Sequence, residues 1–156
     1  PPPPPPPATP ASAPLKTPAP STGDDYTTPS SQVQEEILLN LLNQERIAQG
    51  LSPLTLDAEL SRIARIKSAD MRDNHYFAHE SPTYGHVSDM LKTFGYSFSG
   101  AGENIAHHAT TEKAHAAFMS SDGHRRNILS SAWQKVGLGI VYDANGYVYV
   151  TQIFVR

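Results

Sequence analysis

The spacing of apolar residues predicts an amphipathic helix as the first regular element of the chain. Within residues 30–50, apolar side chains recur three and four positions apart, and Gly50 ends the pattern. Glu35 and Glu36 fall near the predicted N-terminal end, where the helix dipole favours negative charge. The residues of the predicted apolar face are Val33, Ile37, Leu38, Leu41, Leu42 and Ala48.

A second helix is predicted after Pro53, and both helices are expected to pack on one side only. Further along, VSDMLKTFGY predicts a short helix, and TTEKAHAAFMSSDGHRRNILSS predicts a helical pair with Thr110 or Thr111 as N-cap and a break at Gly123. Residues 75–86 show neither the helical nor the strand spacing of apolar residues, as expected of a structured loop. The apolar face of the second helix is predicted to contain Leu56, Leu60, Ile63, Ala64, Lys67 and Met71.

The pattern changes to that of strands near the C-terminus. VGLGIVYD and YVYVTQIFV are rich in β-branched and aromatic residues, and the DANGY segment joins them. Asn145 and Gly146 suit the two central positions of a type I′ hairpin turn. Because the preceding helices are numerous enough to cover both faces of this hairpin, the pattern predicts an α+β sandwich.

Composition separates a short N-terminal segment from the rest of the chain. Twelve of the 14 prolines lie in residues 1–29, which predicts an extended proline-rich linker there and one domain over residues 30–156. A docking site for a proline-recognising module is the alternative interpretation of the linker. Since the chain begins with proline, we interpret it as a processed or excised fragment whose signal peptide, if any, is missing.

Charge and residue usage exclude several classes of function. The formal net charge is −3, and the 12 Lys and Arg residues are scattered, so we expect no nucleic-acid partner. No apolar stretch approaches the roughly eighteen residues of a membrane span. The chain has no cysteine, which excludes disulfides and thiolate chemistry and leaves seven histidines as the main titratable groups.

Three polar stretches each carry one side chain suited to metal binding or acid–base chemistry. They are YFAHESP with His79, GAGENIA with Glu103 and SDGHRRNIL with His124. Two imidazoles and one carboxylate are sufficient for an open zinc site or a metal-free pair of base and orienting group. Structural roles remain the alternative, because isolated histidines often form hydrogen bonds within the fold, and Glu103 could hold a turn.

Other polar residues near these stretches have weaker functional interpretations. Ser121, His124 and Glu103 superficially supply a catalytic triad, but MSSDGHR lacks the Gly-x-Ser-x-Gly pattern. Arg125 and Arg126 could bind an anion, although we expect one of them to pair within the domain. The remaining histidines divide into rim candidates and solvated or packing side chains: His75 and His86 in the first group, His107, His108 and His115 in the second.

Six blocks in a fixed order over residues 33–155 carry a family resemblance. They are LLNQERIAQGLSPLTLDAELSRIARIKSADM, YFAHESP, GAGENIA, SDGHRRNIL, VGLGIVYD and YVYVTQIF. Together they resemble the CAP superfamily of cysteine-rich secretory proteins, antigen 5 and pathogenesis-related proteins, in its cysteine-free bacterial branch. The resemblance implies a three-layer α-β-α sandwich with a small antiparallel sheet, and a cleft with two histidines and two acids.

Within that cleft, the resemblance assigns His79 and His124 as the histidines and Glu103 as the first acid. Ser121 occupies the position of the second acid, so a two-carboxylate mechanism is less favoured than binding of zinc or another divalent cation by His79 and His124. The resemblance and the predicted linker imply a secreted or cell-surface protein, and we expect a monomeric binding module for an unknown ligand or a cell-surface or cell-wall component. The alternatives are a metal-dependent hydrolase of peptide or cell-wall polymer that uses Glu103, and a purely structural interaction domain.

Overall fold

The computed structural model describes residues 26–156, so the predicted linker lies almost entirely outside the described residues, and the proposed boundary near residue 29 stays a prediction. The helices of the described range are α1 (Pro29–Ala48), α2 (Ala58–Asp73), α3 (Val87–Thr93), α4 (Thr111–Met119) and α5 (Asp122–Ile128). Its strands are β1 (Thr55–Leu56), β2 (Ala101–His108), β3 (Lys135–Tyr142) and β4 (Val148–Val155).

The four strands form one sheet in the order β1-β3-β4-β2. Strand β4 runs antiparallel to both β2 and β3, whereas the two-residue β1 runs parallel to the start of β3. Strand β2 therefore lies at one edge of the sheet, although its partner β4 is the last strand of the chain. The predicted hairpin is confirmed, but the sheet has two strands that the hydrophobic pattern did not predict.

Two apolar cores on opposite faces of the sheet confirm the three-layer sandwich. Val150 and Phe154 of β4 pack against α1, α4 and α5, while Ile153 and Val155 pack against α2 and α3. This alternation follows from the strand geometry, because successive side chains point to opposite faces. Each face buries its apolar side chains under helices, as an α-β-α architecture requires.

Helix α2 approaches the sheet closely because β3 carries glycines where the two elements meet. A Cβ atom on Gly139 would lie 2.1 Å from the backbone nitrogen of Arg65, and one on Gly137 would lie 2.4 Å from the Leu60 carbonyl carbon. Because glycine has only a hydrogen atom in place of a side chain, the backbones of β3 and α2 can come into contact at these positions. Consequently α2 is buried nearly all round from Leu60 to Met71, and the prediction of burial on one side only was wrong for this helix.

The buried face of α1 also differs from the prediction. Leu38 and Leu42 are buried as expected, but Val33 is exposed, and Glu35 lies on the buried face in the second turn instead of near the first. The Glu35 carboxylate pairs with Arg65 at 2.8 Å and accepts from the backbone N–H of Ile140 at 3.1 Å. A charged residue is buried here because it satisfies a backbone donor at the part of β3 that β1 does not cover.

Two local predictions about turns need correction. Thr110 is the N-cap of α4, as expected, but the break before α5 lies at Ser120 and Ser121, and Gly123 is inside α5. In the β3–β4 turn, Gly146 has a positive φ of 82° and Asn145 does not, so the turn is not type I′. Across residues 26–156, no helix has the length and apolar character needed to cross a membrane.

Candidate functional site

A buried aspartate at the end of α2 shapes the loop that carries His79. Asp70 accepts hydrogen bonds from the hydroxyl of Tyr76, from Ser81 Oγ at 2.6 Å and from Asn74 Nδ2 at 2.6 Å. Burial is the largest cause that raises the pKa of Tyr76, and the negative charge of Asp70 is the next. The Tyr76 hydroxyl therefore stays protonated and donates its hydrogen bond. The loop is therefore folded back against the C-terminal turns of α2.

Lys67 is a second buried anchor of the same loop. Its side chain is 1% exposed, and its ammonium donates to the backbone carbonyls of Ala78 at 2.9 Å and His79 at 2.7 Å. Burial lowers the pKa of Lys67, and the charges of Glu103 and Asp70 oppose that shift. The sequence pattern assigned Lys67 to an apolar helical face. A lysine in such a position needs polar partners inside the fold, so its place in the pattern indicated buried hydrogen bonds.

Glu103 meets His79 at the edge of the sheet. Glu103 pairs with Ile153 in the β2–β4 register, which places it on the α2 side, and its Oε1 lies 2.9 Å from His79 Nδ1. Because a carboxylate only accepts, Nδ1 is the donor, and Nε2 is the nitrogen left for a ligand. The Glu103 side chain is 3% exposed against 53% for His79, so the imidazole presents this pair to solvent.

The second carboxylate oxygen of Glu103 has no hydrogen-bond partner within residues 26–156. This Oε2 atom is buried, and no protein donor forms a hydrogen bond with it. A buried oxygen without a donor is costly unless a nearby cation compensates it. The ammonium of the buried Lys67 acts on this region through its charge, and the Glu103 carboxylate opposes the lowering of the Lys67 pKa by burial.

His124 approaches the site from the opposite layer. It lies in α5, where its Nδ1 is 3.0 Å from Ser121 Oγ and its ring packs 5.2 Å from that of Phe118. Burial lowers the pKa of His124, and the charge of His79 lowers it further. The imidazole is therefore neutral near pH 7, and the two histidines lie within electrostatic range of each other.

Three side-chain amides, two buried and one half-buried, connect β2 with α5 and β4. Asn104 Nδ2 donates to the His124 carbonyl at 3.1 Å and to Gln152 Oε1 at 3.0 Å. Asn127 Nδ2 donates to Asn104 Oδ1 at 2.9 Å and to the Glu103 carbonyl at 3.3 Å. These bonds fix the backbone positions of Glu103 and His124 relative to each other, and sequence reasoning did not single out the three amides.

The structure places the four predicted cleft residues as two hydrogen-bonded pairs. His79 pairs with Glu103, and His124 pairs with Ser121. A serine-histidine-acid relay is not formed, because the carboxylate orients the other histidine. Throughout the described residues, no group of three or more histidine, aspartate or glutamate side chains is arranged to hold a metal ion.

The other histidines have separate environments. His75 is exposed directly after α2 with a left-handed φ of 56°, and His86 is the N-cap of α3. His107 pairs with Asp143 at 2.7 Å and stacks on Tyr149, and His115 pairs with Glu45 at 3.0 Å. None of the five is hydrogen-bonded to the cleft pairs in the part of the chain that the structure describes.

The family of this chain follows from its similarity to known proteins. Residues 39–154 match the model of the cysteine-rich secretory protein family, CAP, and this match covers well over half of the chain. The chain belongs to the CAP family. It is 45% identical over 140 residues to the uncharacterized protein YkwD of Bacillus subtilis (strain 168), and 35% identical over 123 residues to the uncharacterized membrane protein YlbC of the same organism. These alignments cover 86% and 78% of this chain.

The CAP fold is also shared with solved structures. An extracellular protein containing a SCP domain from Bacillus anthracis str. Ames aligns with a TM-score of 0.75 and 34% identity, covering 83% of this chain and 44% of that one. A cysteine-rich secretory protein from Staphylococcus aureus aligns with a TM-score of 0.68 and 21% identity, over 83% of this chain and 40% of that chain. This CAP chain spans 54% of YkwD and 34% of YlbC.

Proposed function

We propose that this CAP domain is an extracellular or cell-surface binding module whose cleft binds a divalent transition metal such as zinc through His79 and His124. The description of the Bacillus anthracis relative as extracellular supports the location. The observation that carries the binding role is the 2.9 Å hydrogen bond between His79 Nδ1 and the buried Glu103 carboxylate. Histidines that ligate metals typically donate their other nitrogen to such a partner.

The donor chemistry of the cleft fits a metal with an open coordination shell. His79 and His124 each engage Nδ1 within the protein, which leaves both Nε2 atoms for a ligand. Two imidazole nitrogens suit zinc, and water or an external ligand would complete four-coordination. A metal held there would supply Lewis acidity toward that external ligand. The lowered pKa of His124 supports binding, because a neutral imidazole is the ligating form.

Binding is better supported than hydrolysis. A hydrolase needs a base that reaches the reacting water, and Glu103 is almost fully buried and hydrogen-bonded to His79. Ser121 contributes a hydroxyl where the CAP pattern places a second acid, so it offers no carboxylate for proton transfer. A purely structural role for the cleft makes a different prediction, namely loss of stability without loss of ligand.

Zinc titration separates these roles. We expect isothermal titration calorimetry of the 156-residue chain to show one site, and the His79→Ala, His124→Ala double variant to bind at least about tenfold more weakly. A His75→Asn, His108→Ala double variant removes two imidazoles outside the cleft and should bind as the parent protein does. Equal zinc binding by the two double variants would contradict the metal site, and a lower melting temperature with unchanged binding would support the structural role.

A further inference from the structure

A polar groove lies between α5 and the segment that leads into β3. Its volume is about 760 Å³, which falls within the range of about 300 to 1,000 Å³ found for small-ligand sites. We call it the α5 groove. Its lining residues are Asp122, Gly123, Arg125, Arg126, Asn127, Leu129, Ser130, Ser131 and Trp133.

Both arginines of this groove present free guanidinium groups. Arg125 and Arg126 are exposed, and neither side chain forms a hydrogen bond or ion pair with any residue that the structure describes. The expectation that one of them pairs inside the domain was therefore wrong. Although adjacent helical residues point in different directions, both arginines line the same groove.

Trp133 forms a fixed aromatic wall of the groove. Its indole Nε1 donates to the Asn127 carbonyl at 3.0 Å, and its ring stacks on Phe154 at a centroid distance of 6.0 Å. The Arg156 guanidinium lies 5.9 Å from the ring centroid. These contacts hold the ring in one orientation, so this part of the groove lining is pre-organised and would lose little conformational entropy on binding.

The charge of the lining defines the class of ligand. The two arginines and Asp122 give the groove a net charge of +1, which favours a ligand with isolated negative charges over a dense polyanion. Leu129 is the one aliphatic side chain among the lining residues, whereas Asn127, Ser130 and Ser131 offer polar groups. Hydroxyl-rich ligands match such a surface, and a sugar ring can lie against an indole.

We propose that the α5 groove binds an acidic oligosaccharide, with its carboxylates on Arg125 and Arg126 and a sugar ring against Trp133. Guanidinium groups bind carboxylates through paired, charge-assisted hydrogen bonds, which selects acidic over neutral sugars. This site is separate from the proposed metal cleft, since its two arginines and Trp133 take no part in the pairs at His79 and His124. Asn127 lines the groove and also holds the Glu103 carbonyl, so the two sites share one structural support.

A titration of the full chain with trigalacturonic acid tests this proposal. We expect saturable binding, with NMR shifts concentrated in residues 122–133, and binding about tenfold weaker or more in an Arg125→Gln, Arg126→Gln double variant. The Arg125→Lys, Arg126→Lys variant should be intermediate, because it keeps the charge and loses the paired geometry. A Lys92→Gln, Lys113→Gln variant removes two positive charges elsewhere on the surface and should bind like the parent chain.

Several results would overturn the proposal. Undetectable binding of the acidic trimer, equal binding by the Arg→Gln variant, or shifts outside the groove would each do so. Equal binding of neutral maltotriose would show that the arginines do not select the ligand. If inorganic phosphate alone displaced the trimer and bound as tightly, the groove would be a simple anion site instead of an oligosaccharide site.

Discussion

At the scale of single residues, Ser121 makes the two cleft histidines different. His79 has a buried carboxylate partner in Glu103, whereas His124 has only the Ser121 hydroxyl, 3.0 Å from its Nδ1. Because a hydroxyl carries no charge, it does not offset the two effects that lower the pKa of His124, which are burial and the charge of His79. Burial, followed by the charge of His79, thus favours the neutral, ligating form of His124.

Replacing this hydroxyl by a carboxylate should reverse the shift. In a Ser121→Glu variant we expect the pKa of His124 to rise by about 1 unit or more, because a carboxylate near Nδ1 stabilises the imidazolium. An NMR titration of the His124 ring measures the change. A Ser120→Glu variant adds the same charge at the exposed neighbouring position and should have a smaller effect. Equal shifts in the two variants would contradict a specific contact at residue 121.

The same substitution should change how stability depends on pH. Since the pKa of His124 is lowered from 6.5, the unfolded chain takes up a proton before the folded chain does as the pH falls. This group therefore lowers the free energy of unfolding as the pH drops from about 6.5 toward the folded-state pKa, and its contribution is fully present above that window. In Ser121→Glu the fall should be weaker, as measured by urea denaturation at several pH values.

At the scale of elements, the helices were predictable because their apolar residues repeat every three or four positions. Strand β2 was not, since its buried run includes Glu103 and Asn104, and its pairing partners in β4 lie far along the chain, from His108 with Val148 to Ala101 with Val155. His79, Glu103 and His124 were singled out by the polar stretches that carry them, and the family resemblance assigned them to one cleft. The roles of Lys67 and Asn127 were missed, because their hydrogen bonds form only in the folded chain.

The close packing of α2 on β3 gives an element-scale prediction. Gly139→Ala places a methyl group 2.1 Å from the α2 backbone, so either element must move. We expect a loss of about 2 to 4 kcal/mol in the free energy of unfolding, as for other overpacked cores. Gly123→Ala in α5 has nothing within 4 Å and should be neutral or slightly stabilising. Similar stabilities of the two variants in urea denaturation would contradict the close approach.

At the scale of the whole molecule, the cleft lies where the two helical layers meet at one sheet edge. The α2 layer supplies His79 through a loop fixed by Lys67 and Asp70, and the other layer supplies His124 through α5. Strand β2 lies between them and carries Glu103. A ligand held by both histidines would therefore connect the two layers, and binding to the folded state alone would also stabilise the fold.

The most direct test of the proposed cleft is to observe both imidazoles while zinc is added. Long-range ¹H–¹⁵N NMR spectra report each ring nitrogen, and the proposal predicts that the Nε2 signals of His79 and His124 shift together at one equivalent of zinc. The Nδ1 signals should keep the hydrogen bonds to Glu103 and Ser121. A response of only one of these histidines, or of His75 or His108 instead, would contradict the shared metal site.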